Sequence, residues 1–598
     1  MERRHCLLLL CALGFTFGER MKNDDFVSIL RRFQPGLLVR DEPYLANEDF
    51  EINSQKRLRP PEFIPILEQT KNSLSRRDAN EAPGPMVLTK DGKMKGVTVD
   101  KAQVFYGIPY ADPPVGAYRW KPPRPVTALE RSLRCLLPQG SMHAGLQWTG
   151  CSRVFSDCKE QFISFYTCLR FSDNSSVKFP IVSEDCLYLN VFVPLDVDFN
   201  APLQSLLPVM VWIHGGDFIA GSASKPLYDG RFISNFTHTI VVSMEYRLGA
   251  FGFLVSGKDA HTSAVGNYGI LDQQAALVWV QRNIAVFGGD PSKVTVFGES
   301  AGAQSVCLHL MIQSSKLLFK QAMLQSVPFS IPLKSRHDAL KLGKDFAKET
   351  NCSVNNIVCL LSLTPQAVLN AQMKTSSKIV NPFKFLEVFE TWGPYIDGDL
   401  IKEQTVTAFQ KGHWQKEKSV LLGTTSEEGL IFVYSVFHKP VSAVESTVYI
   451  TAIFKQHAIG ILRKYLPLYR EADHRGMLAQ IVTDYIFLCP ARKSARSGTS
   501  AGSKVWMYVF DHVMSDPRLW SGLTYCYQHV CHGAELPFVF DSAPVTNFTL
   551  SLPEKLLSNR MLCYWGTFAH NGDPSSRAQQ TTFCREQRLP AWPRYLNS

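Results

Sequence analysis

The chain has 598 residues, of which 45% are hydrophobic and 11% aromatic, and its formal net charge is +10. This composition is typical of a globular protein that can bury an extensive core, and it excludes a disordered or fibrous chain. The basic residues are mixed with acidic ones and cluster only in short pairs such as Arg31-Arg32, so we do not expect nucleic-acid binding.

The first segment, MERRHCLLLLCALGFTFG at residues 1–18, combines a basic start, a short apolar run and small residues near its end. This pattern predicts a signal peptide and therefore secretion. The run is too short to span a membrane, and no later segment reaches the required apolar length, so no membrane span is expected. Residues 19–85 are charged and punctuated by proline, which predicts a partly disordered leader extension or propeptide. Residues 86–598 are predicted to form the folded domain.

Cysteine usage agrees with an extracellular location, because 15 cysteines favour a disulfide-bonded protein. Cys6 and Cys11 would leave with the signal peptide, and the odd number that remains implies at least one free thiol. The spacing of Cys and His residues matches no metal site, so neither a metal nor another cofactor is expected. Four Asn-x-Ser/Thr triplets are candidate glycosylation sites: Asn174, Asn235, Asn351 and Asn547.

Regular structure is predicted from the segment MVLTKDGKMKGVTV at residues 86–99 onwards, since its Asp91-Gly92 pair lies between alternating residues and indicates a β-hairpin. The strand-length runs that follow are mostly β-branched or aromatic: 187–193, 209–213, 240–246, 294–297 and 322–326. Between the third and fourth runs, Leu271, Ala275 and Trp279 recur at helical spacing. Strands that alternate with helices predict an α/β fold, a large and mostly parallel central sheet flanked by helices.

The chain contains the pattern Gly-x-Ser-x-Gly twice, around Ser300 and around Ser500. This pattern can expose a nucleophilic serine on a sharp turn, but only where a strand delivers the serine and a helix follows it. Ser300 comes between KVTVF and the helix-like AGAQSVCLHLM, whereas Ser500 lies in a small-residue segment before the strand-like VWMYVF. The order of elements therefore favours Ser300 as the nucleophile and predicts that Ser500 lies in a flexible linker.

A serine nucleophile needs a histidine base and an acid that orients it. The spacing of residues does not select one histidine, because seven of them follow residue 428. The strand-like VMVWI ends in His214-Gly215-Gly216, where glycines would let backbone amides approach a developing oxyanion.

Six segments, taken together, resemble the type-B carboxylesterase family, the cholinesterase-like branch of the α/β-hydrolases. They are VFYGIPYADPPVGAYRWKPP, SEDCLYLNVFVP, WIHGGDF, YRLGAFGF, GNYGILDQQAALVWVQRNIAVFGGDPSKVTVFGESAGA and HGAELPFVF. The resemblance runs from about Val87 to Trp592 and implies an α/β-hydrolase fold. It also implies a small-molecule ester substrate that is hydrolysed through an acyl-serine intermediate.

The resemblance assigns the nucleophile to Ser300, the base to His532 and the acid to Glu428 of the SEEG turn. Glu427 occupies the preceding position and is the alternative acid, while His529 would be a surface or packing histidine. Glu299 and Ser326 match residues that support the triad in relatives.

The family's oxyanion donors correspond to the amides of Gly216, Asp217 and Ala301, and Gly215 opens the same turn. Relatives usually have Gly or Ala where this chain has Asp217. A carboxylate there would oppose the oxyanion by roughly 1 kcal/mol or more unless it turns away or is paired.

The resemblance also implies three disulfides. They join Cys151 (or else Cys135) to Cys186, Cys352 to Cys359, and Cys489 to Cys563. Two further pairs are considered, Cys158 with Cys168 and Cys526 with Cys531, and Cys307 is the candidate free thiol.

The segment NSSVKFPIVSEDC lacks the tryptophan with which choline-binding relatives contact a quaternary ammonium, so the resemblance points to a carboxylesterase-like member. The function expected is a secreted serine esterase. The competing interpretation is a catalytically weak or inactive adhesion or binding protein, because the family also contains members that keep the fold without catalysis.

Overall fold

The structure is a computed structural model that describes residues 84–127, 133–134, 183–257, 259–376, 390–578 and 581–596. The predicted signal peptide, nearly all of the leader segment, Asn174 and Cys151 lie outside these residues. So do the other cysteines considered before Cys186.

Twelve strands occur in the described residues, and they form one sheet of nine strands and one of three. The strands are β1 (Met86–Leu88), β2 (Lys93–Lys95), β3 (Val97–Val99), β4 (Ala102–Pro109), β5 (Leu133–Arg134), β6 (Tyr188–Pro194), β7 (Leu207–Ile213), β8 (Ile240–Met244), β9 (Gly289–Glu299), β10 (Gln321–Gln325), β11 (Ser419–Thr425) and β12 (Val505–Phe510).

The α-helices follow the strands and connect them. They are α1 (Gly230–Thr237), α2 (Gly249–Phe253), α3 (Tyr268–Asn283), α4 (Ala301–Met311), α5 (Arg336–Glu349), α6 (Ile357–Leu361), α7 (Pro365–Ser376), α8 (Thr405–Lys411), α9 (Gly429–Val436), α10 (Ala443–Phe454), α11 (Ala458–Tyr465), α12 (Arg475–Val482), α13 (Cys489–Ser500), α14 (Leu536–Phe540), α15 (Leu552–Asn571) and α16 (Thr582–Glu586).

The nine-stranded sheet has the order β12-β11-β10-β9-β7-β8-β6-β4-β3. The six strands from β12 to β8 pair in parallel, and β6, β4 and β3 continue the sheet in antiparallel pairs. This is the mostly parallel sheet with flanking helices that the sequence predicts, and it is consistent with the α/β-hydrolase fold. The predicted hairpin at Asp91-Gly92 is also present, as the antiparallel pair β1–β2.

Strand β7 shows why the sheet lies at the centre of the protein. All seven of its residues are buried. Val209, Val211 and Ile213 belong to one hydrophobic cluster, while Met210 and Trp212 belong to another. Because successive side chains of a strand point to opposite faces, the sheet has an apolar layer on each side.

The carboxyl ends of the parallel strands carry the predicted site residues. His214 follows β7, Ser300 follows β9, Ser326 follows β10, and Glu428 lies three residues beyond β11. Parallel strands end at the same edge of a sheet, so residues far apart in sequence meet there.

The structure corrects the prediction for Ser500. This serine is the last residue of helix α13 and does not lie in a flexible linker. The small residues of SARSGTSAG obscured the helix, since Gly and Ser have weak helical preference and the packing of the helix against the rest of the protein outweighs it. Strand β12 follows Ser500, so the serine still lacks the strand-to-helix order that a nucleophile turn needs.

The structure also corrects one predicted disulfide. Cys563 of α15 is bonded to Cys584 of α16, and Cys489 is a free, exposed thiol. Helix α16 brings the buried Cys584 within 5.5 Å of Cys563, measured between Cα atoms, although the resemblance had left Cys584 unassigned.

Other cysteine predictions agree with the structure where it describes them. Cys352–Cys359 and Cys526–Cys531 are disulfides, and Cys307 is a buried free thiol. Cys186 is disulfide-bonded as well. No helix in the described ranges combines the length and the apolar character that crossing a membrane would require.

Candidate active site

Ser300 lies on a sharp turn between strand β9 and helix α4. Its backbone angles are φ 57° and ψ −124°, a strained conformation for a residue with a Cβ atom. Its amide donates to the carbonyl of Gln325 at 3.0 Å, and its side chain remains partly exposed. The turn therefore presents the hydroxyl at the edge of the sheet, where the first amides of α4 have no partner within the helix.

The two glycines of this turn are required by contact with strand β7. A Cβ atom on Gly302 would lie 2.0 Å from the carbonyl oxygen of Ile213, and one on Gly298 would lie 2.7 Å from the same oxygen. Both distances are far below van der Waals contact. The Gly-x-Ser-x-Gly spacing thus follows from how closely the turn packs against the neighbouring strand.

Glu428 and His532 are brought together although 104 residues separate them. The Nδ1 atom of His532 lies 2.5 Å from Oε2 of Glu428, and both side chains are fully buried. The other carboxylate oxygen of Glu428 accepts from the amide of Thr425 at 2.9 Å, which holds the carboxylate in place. Because a carboxylate only accepts hydrogen bonds, the contact favours a proton on Nδ1 of His532, and Nε2 is the nitrogen at which the ring gains or loses its second proton.

Nε2 of His532 faces the residue that precedes Ser300. It lies 2.9 Å from Oε1 of Glu299, which is an ion-pair distance. Because Glu299 is the chain neighbour of Ser300, this contact places Nε2 at the nucleophile turn.

The buried imidazole of His532 is held between charged and aromatic groups. Burial by itself disfavours its protonation, but the carboxylates of Glu299 and Glu428 outweigh this effect and raise the pKa of His532 well above its usual value. The rings of Phe432 and Phe487 flank it, with centroids 5.1 and 5.2 Å away. Sequence reasoning did not identify these two phenylalanines, which carry no motif of their own.

Glu427, the alternative acid, contacts a different histidine. Its Oε1 lies 2.8 Å from Nδ1 of His529, and its Oε2 accepts from the amide of Val530 at 2.7 Å. The two consecutive glutamates therefore bind two histidines three residues apart, and only Glu428 reaches His532.

The turn at Gly215, Gly216 and Asp217 packs against Ser300. A Cβ atom on Gly215 would lie 3.0 Å from Cβ of Ser300 and 2.6 Å from the carbonyl oxygen of Glu299. Gly216 has φ 118° and Asp217 has φ 56°, so the backbone turns sharply at both residues. A glycine at 216 is needed, since a Cβ atom there would lie 2.3 Å from the carbonyl oxygen of Ala220.

Asp217 is partly buried, next to the buried Gly216 and Phe218. This burial and the neighbouring carboxylate of Glu390 raise the pKa of Asp217 well above its usual range, and the Lys334 ammonium partly opposes them. The buried Glu390 also has a raised pKa, about 7, because burial outweighs Lys334 and a hydrogen bond from Gln304. Asp217 therefore belongs to a group of carboxyl groups that resist ionisation.

A second buried carboxyl group, Glu535, follows His532 by three residues. Its Oε1 accepts from Nε2 of Gln325 at 2.9 Å, and burial together with Glu299 raises its pKa to about 8. Ser326, the residue after Gln325, has φ 55°, is fully buried and donates its amide to the carbonyl of Gly423. The sequence signal for Glu535 was its place in HGAELPF, but its burial is visible only in the structure.

No group of three or more His, Cys, Asp or Glu side chains among the residues described could hold a metal ion.

Residues 83–598 match the sequence profile of the carboxylesterase family. The protein belongs to the carboxylesterase family. Its relatives include acetylcholinesterase from Bungarus fasciatus, which is 34% identical over 543 residues, or 86% of this chain and 81% of the relative. A cholinesterase from Mus musculus is 32% identical over 527 residues, which cover 83% of this chain and 80% of that protein.

Not every relative of this carboxylesterase-family protein bears an enzyme's name. The cAMP-regulated D2 protein from Dictyostelium discoideum is 35% identical over 493 residues, covering 82% of this chain and 84% of the relative. Membership of the carboxylesterase family supports carboxylic ester hydrolysis as the general chemistry.

Proposed function

We propose that this carboxylesterase-family protein is a secreted serine esterase that hydrolyses small-molecule carboxylic esters through an acyl-serine intermediate. The proposal rests on the meeting of two features at one edge of the sheet. Ser300 stands on a strained strand-to-helix turn, and the Glu428–His532 pair directs Nε2 of His532 towards that turn.

In the first half of the reaction, His532 acts as the general base. Its Nε2 accepts the proton of the Ser300 hydroxyl while the oxygen forms a bond to the ester carbonyl carbon. Glu428 stabilises the imidazolium that results. The tetrahedral intermediate then collapses, the bond to the alcohol oxygen breaks, and the alcohol leaves with the proton from His532.

In the second half, water takes the place of the alcohol. His532 accepts a proton from the water as its oxygen attacks the acyl-serine carbonyl, and the acid leaves when Ser300 recovers its proton. The amides of Gly216, Asp217 and Ala301 would donate to the oxyanion in both halves.

A second candidate, a binding protein with weak or no catalysis, is favoured by one observation. Asp217 carries a carboxyl group on the turn whose amides would donate to the oxyanion, and an ionised carboxylate near an oxyanion opposes it. Its raised pKa reduces that opposition at low pH, so we favour an esterase with turnover limited at higher pH.

The two Gly-x-Ser-x-Gly serines provide a direct test. A fluorophosphonate probe should label the wild type and the S500A variant equally, while S300A should not be labelled and should lose about 10⁵-fold or more in kcat. Labelling of S300A, or failure of the folded wild type to react, would favour the binding protein.

A panel of p-nitrophenyl esters of increasing acyl length tests the substrate class. We expect turnover of short and medium acyl chains, and little turnover of acetylthiocholine because residues 174–186 lack the tryptophan that choline-binding relatives have there. Equal absence of turnover for every ester would contradict the esterase proposal.

Secretion is supported by the disulfides and by the exposure of three of the candidate glycosylation sites, Asn235, Asn351 and Asn547. Expression in animal cells should place the full chain in the medium with glycans that peptide N-glycosidase removes, and deletion of residues 1–18 should keep it inside the cell.

A further inference from the structure

A second glutamate–histidine contact lies directly beside the pair that we propose for catalysis. Glu427 and Glu428 are consecutive residues immediately before α9, and they bind His529 and His532 on one loop. Glu427 also accepts from the backbone amide of Val530, two residues before His532. The loop that carries His532 is therefore held by the same turn at more than one point.

A disulfide closes the same loop. Cys526 and Cys531 are five residues apart, and the closed loop contains His529 and Val530. Both cysteines are fully buried, and Cys531 directly precedes His532. Closing so short a loop removes backbone freedom immediately before the imidazole.

These contacts differ from ordinary core packing. The side chains of Glu427 and His529 are 33% and 45% exposed, so neither fills a cavity whose loss would unfold the protein. A partly exposed ion pair contributes little to global stability, but here Glu427 directly precedes Glu428 and His529 lies three residues before His532.

We propose that Glu427, His529 and the Cys526–Cys531 disulfide, together called the loop clamp, position His532 for proton transfer with Ser300. The inference rests on the proposed esterase function and deepens it. Glu427 and His529 are positioning residues, since they act on the reaction through the loop. A small displacement of a catalytic group can cost up to about 100-fold in rate, so the loop clamp should affect kcat more than substrate binding.

The test compares clamp variants with matched controls elsewhere in the chain. E427A and the double variant C526S/C531S should each lower kcat and the rate of fluorophosphonate labelling by about tenfold, with KM changed less than about twofold. E427Q keeps a carbonyl oxygen for the Val530 amide and should retain more activity than E427A.

Two features outside the site supply the controls. Glu403 and His413 form another glutamate–histidine pair, with atoms 2.5 Å apart, and Cys352–Cys359 closes a loop of similar size with the same Cα distance of 5.8 Å. E403A and C352S/C359S should leave kcat within about twofold of wild type. Circular dichroism and thermal unfolding show which variants are folded, and E427A carries the test should C526S/C531S fail to fold.

The possible results separate the two proposals. If the wild type reacts with the probe and E427A has the same labelling rate and the same kcat, the loop-clamp proposal is wrong, but the esterase proposal stands. Equal losses in E427A and E403A overturn it as well. Folded wild type that never reacts overturns the proposed esterase and this inference with it.

Discussion

The turns at Ser300 and Ser500 share a five-residue pattern and have opposite surroundings. Ser300 leaves a buried strand at φ 57° and precedes a helix, whereas Ser500 ends a helix and precedes a strand. A Cβ atom on Gly302 would collide with a backbone oxygen, but one on Gly502 would have no neighbouring atom within 4 Å among the described residues. The comparison shows that the Gly-x-Ser-x-Gly pattern indicates a nucleophile turn only where packing against a neighbouring strand requires both glycines.

The largest expected effect comes from substituting a glycine in each of the two patterns. G302A should destabilise the protein by about 4 kcal/mol or prevent folding, because its Cβ atom would overlap the carbonyl of Ile213 at 2.0 Å. G498A in the other pattern should change stability by less than about 1 kcal/mol, since it meets only the side chains of Val505 and Trp414, at 3.1 and 3.2 Å. Denaturant unfolding measures both. Similar losses in the two variants would remove the distinction between the turns.

A smaller effect is expected at Asp217, a residue that has no counterpart near Ser500. D217G should raise kcat/KM about tenfold at alkaline pH, because it removes an ionisable carboxyl group from the turn whose amides would donate to the oxyanion, together with a residue strained at positive φ. The gain should shrink as the pH falls, since burial and Glu390 raise the pKa of Asp217 and the carboxyl group becomes neutral.

A pH profile of p-nitrophenyl acetate hydrolysis tests this expectation, with D217N as the control that stays neutral at every pH. D217N should show the gain from charge removal without the relief of strain. Identical profiles for wild type and both variants would mean that the Asp217 carboxylate is directed away from the oxyanion.

The smallest effect is expected from substituting the residue before each serine, which is Glu299 before Ser300 and Thr499 before Ser500. E299Q removes a carboxylate that raises the pKa of His532, so that pKa should fall. His532 then stays unprotonated down to a lower pH, so the fall of kcat/KM on the acid side of its pH profile should move to lower pH. T499V should leave that acid-side fall at the wild-type pH. An unchanged profile in E299Q would show that Glu299 does not set the pKa of His532.

Much of the fold was predictable because its signals are local. β-branched runs predicted the strands around the site, and the Asp91-Gly92 pair predicted the hairpin. The strand, the two glycines and the helix that follow one another around Ser300 also distinguished it from Ser500. These signals arise from backbone conformations and side-chain alternation within a few residues, so the amino-acid sequence by itself determined them.

Other features were decided only by the tertiary structure. The spacing of residues did not select His532 among seven histidines, and resemblance alone assigned Cys563 the wrong partner. The contacts of Glu299, Glu427 and Glu428 with histidines more than 100 residues away depend on where the sheet and its loops bring distant segments together. No local preference encodes such a meeting, because it results from packing both faces of the sheet at once.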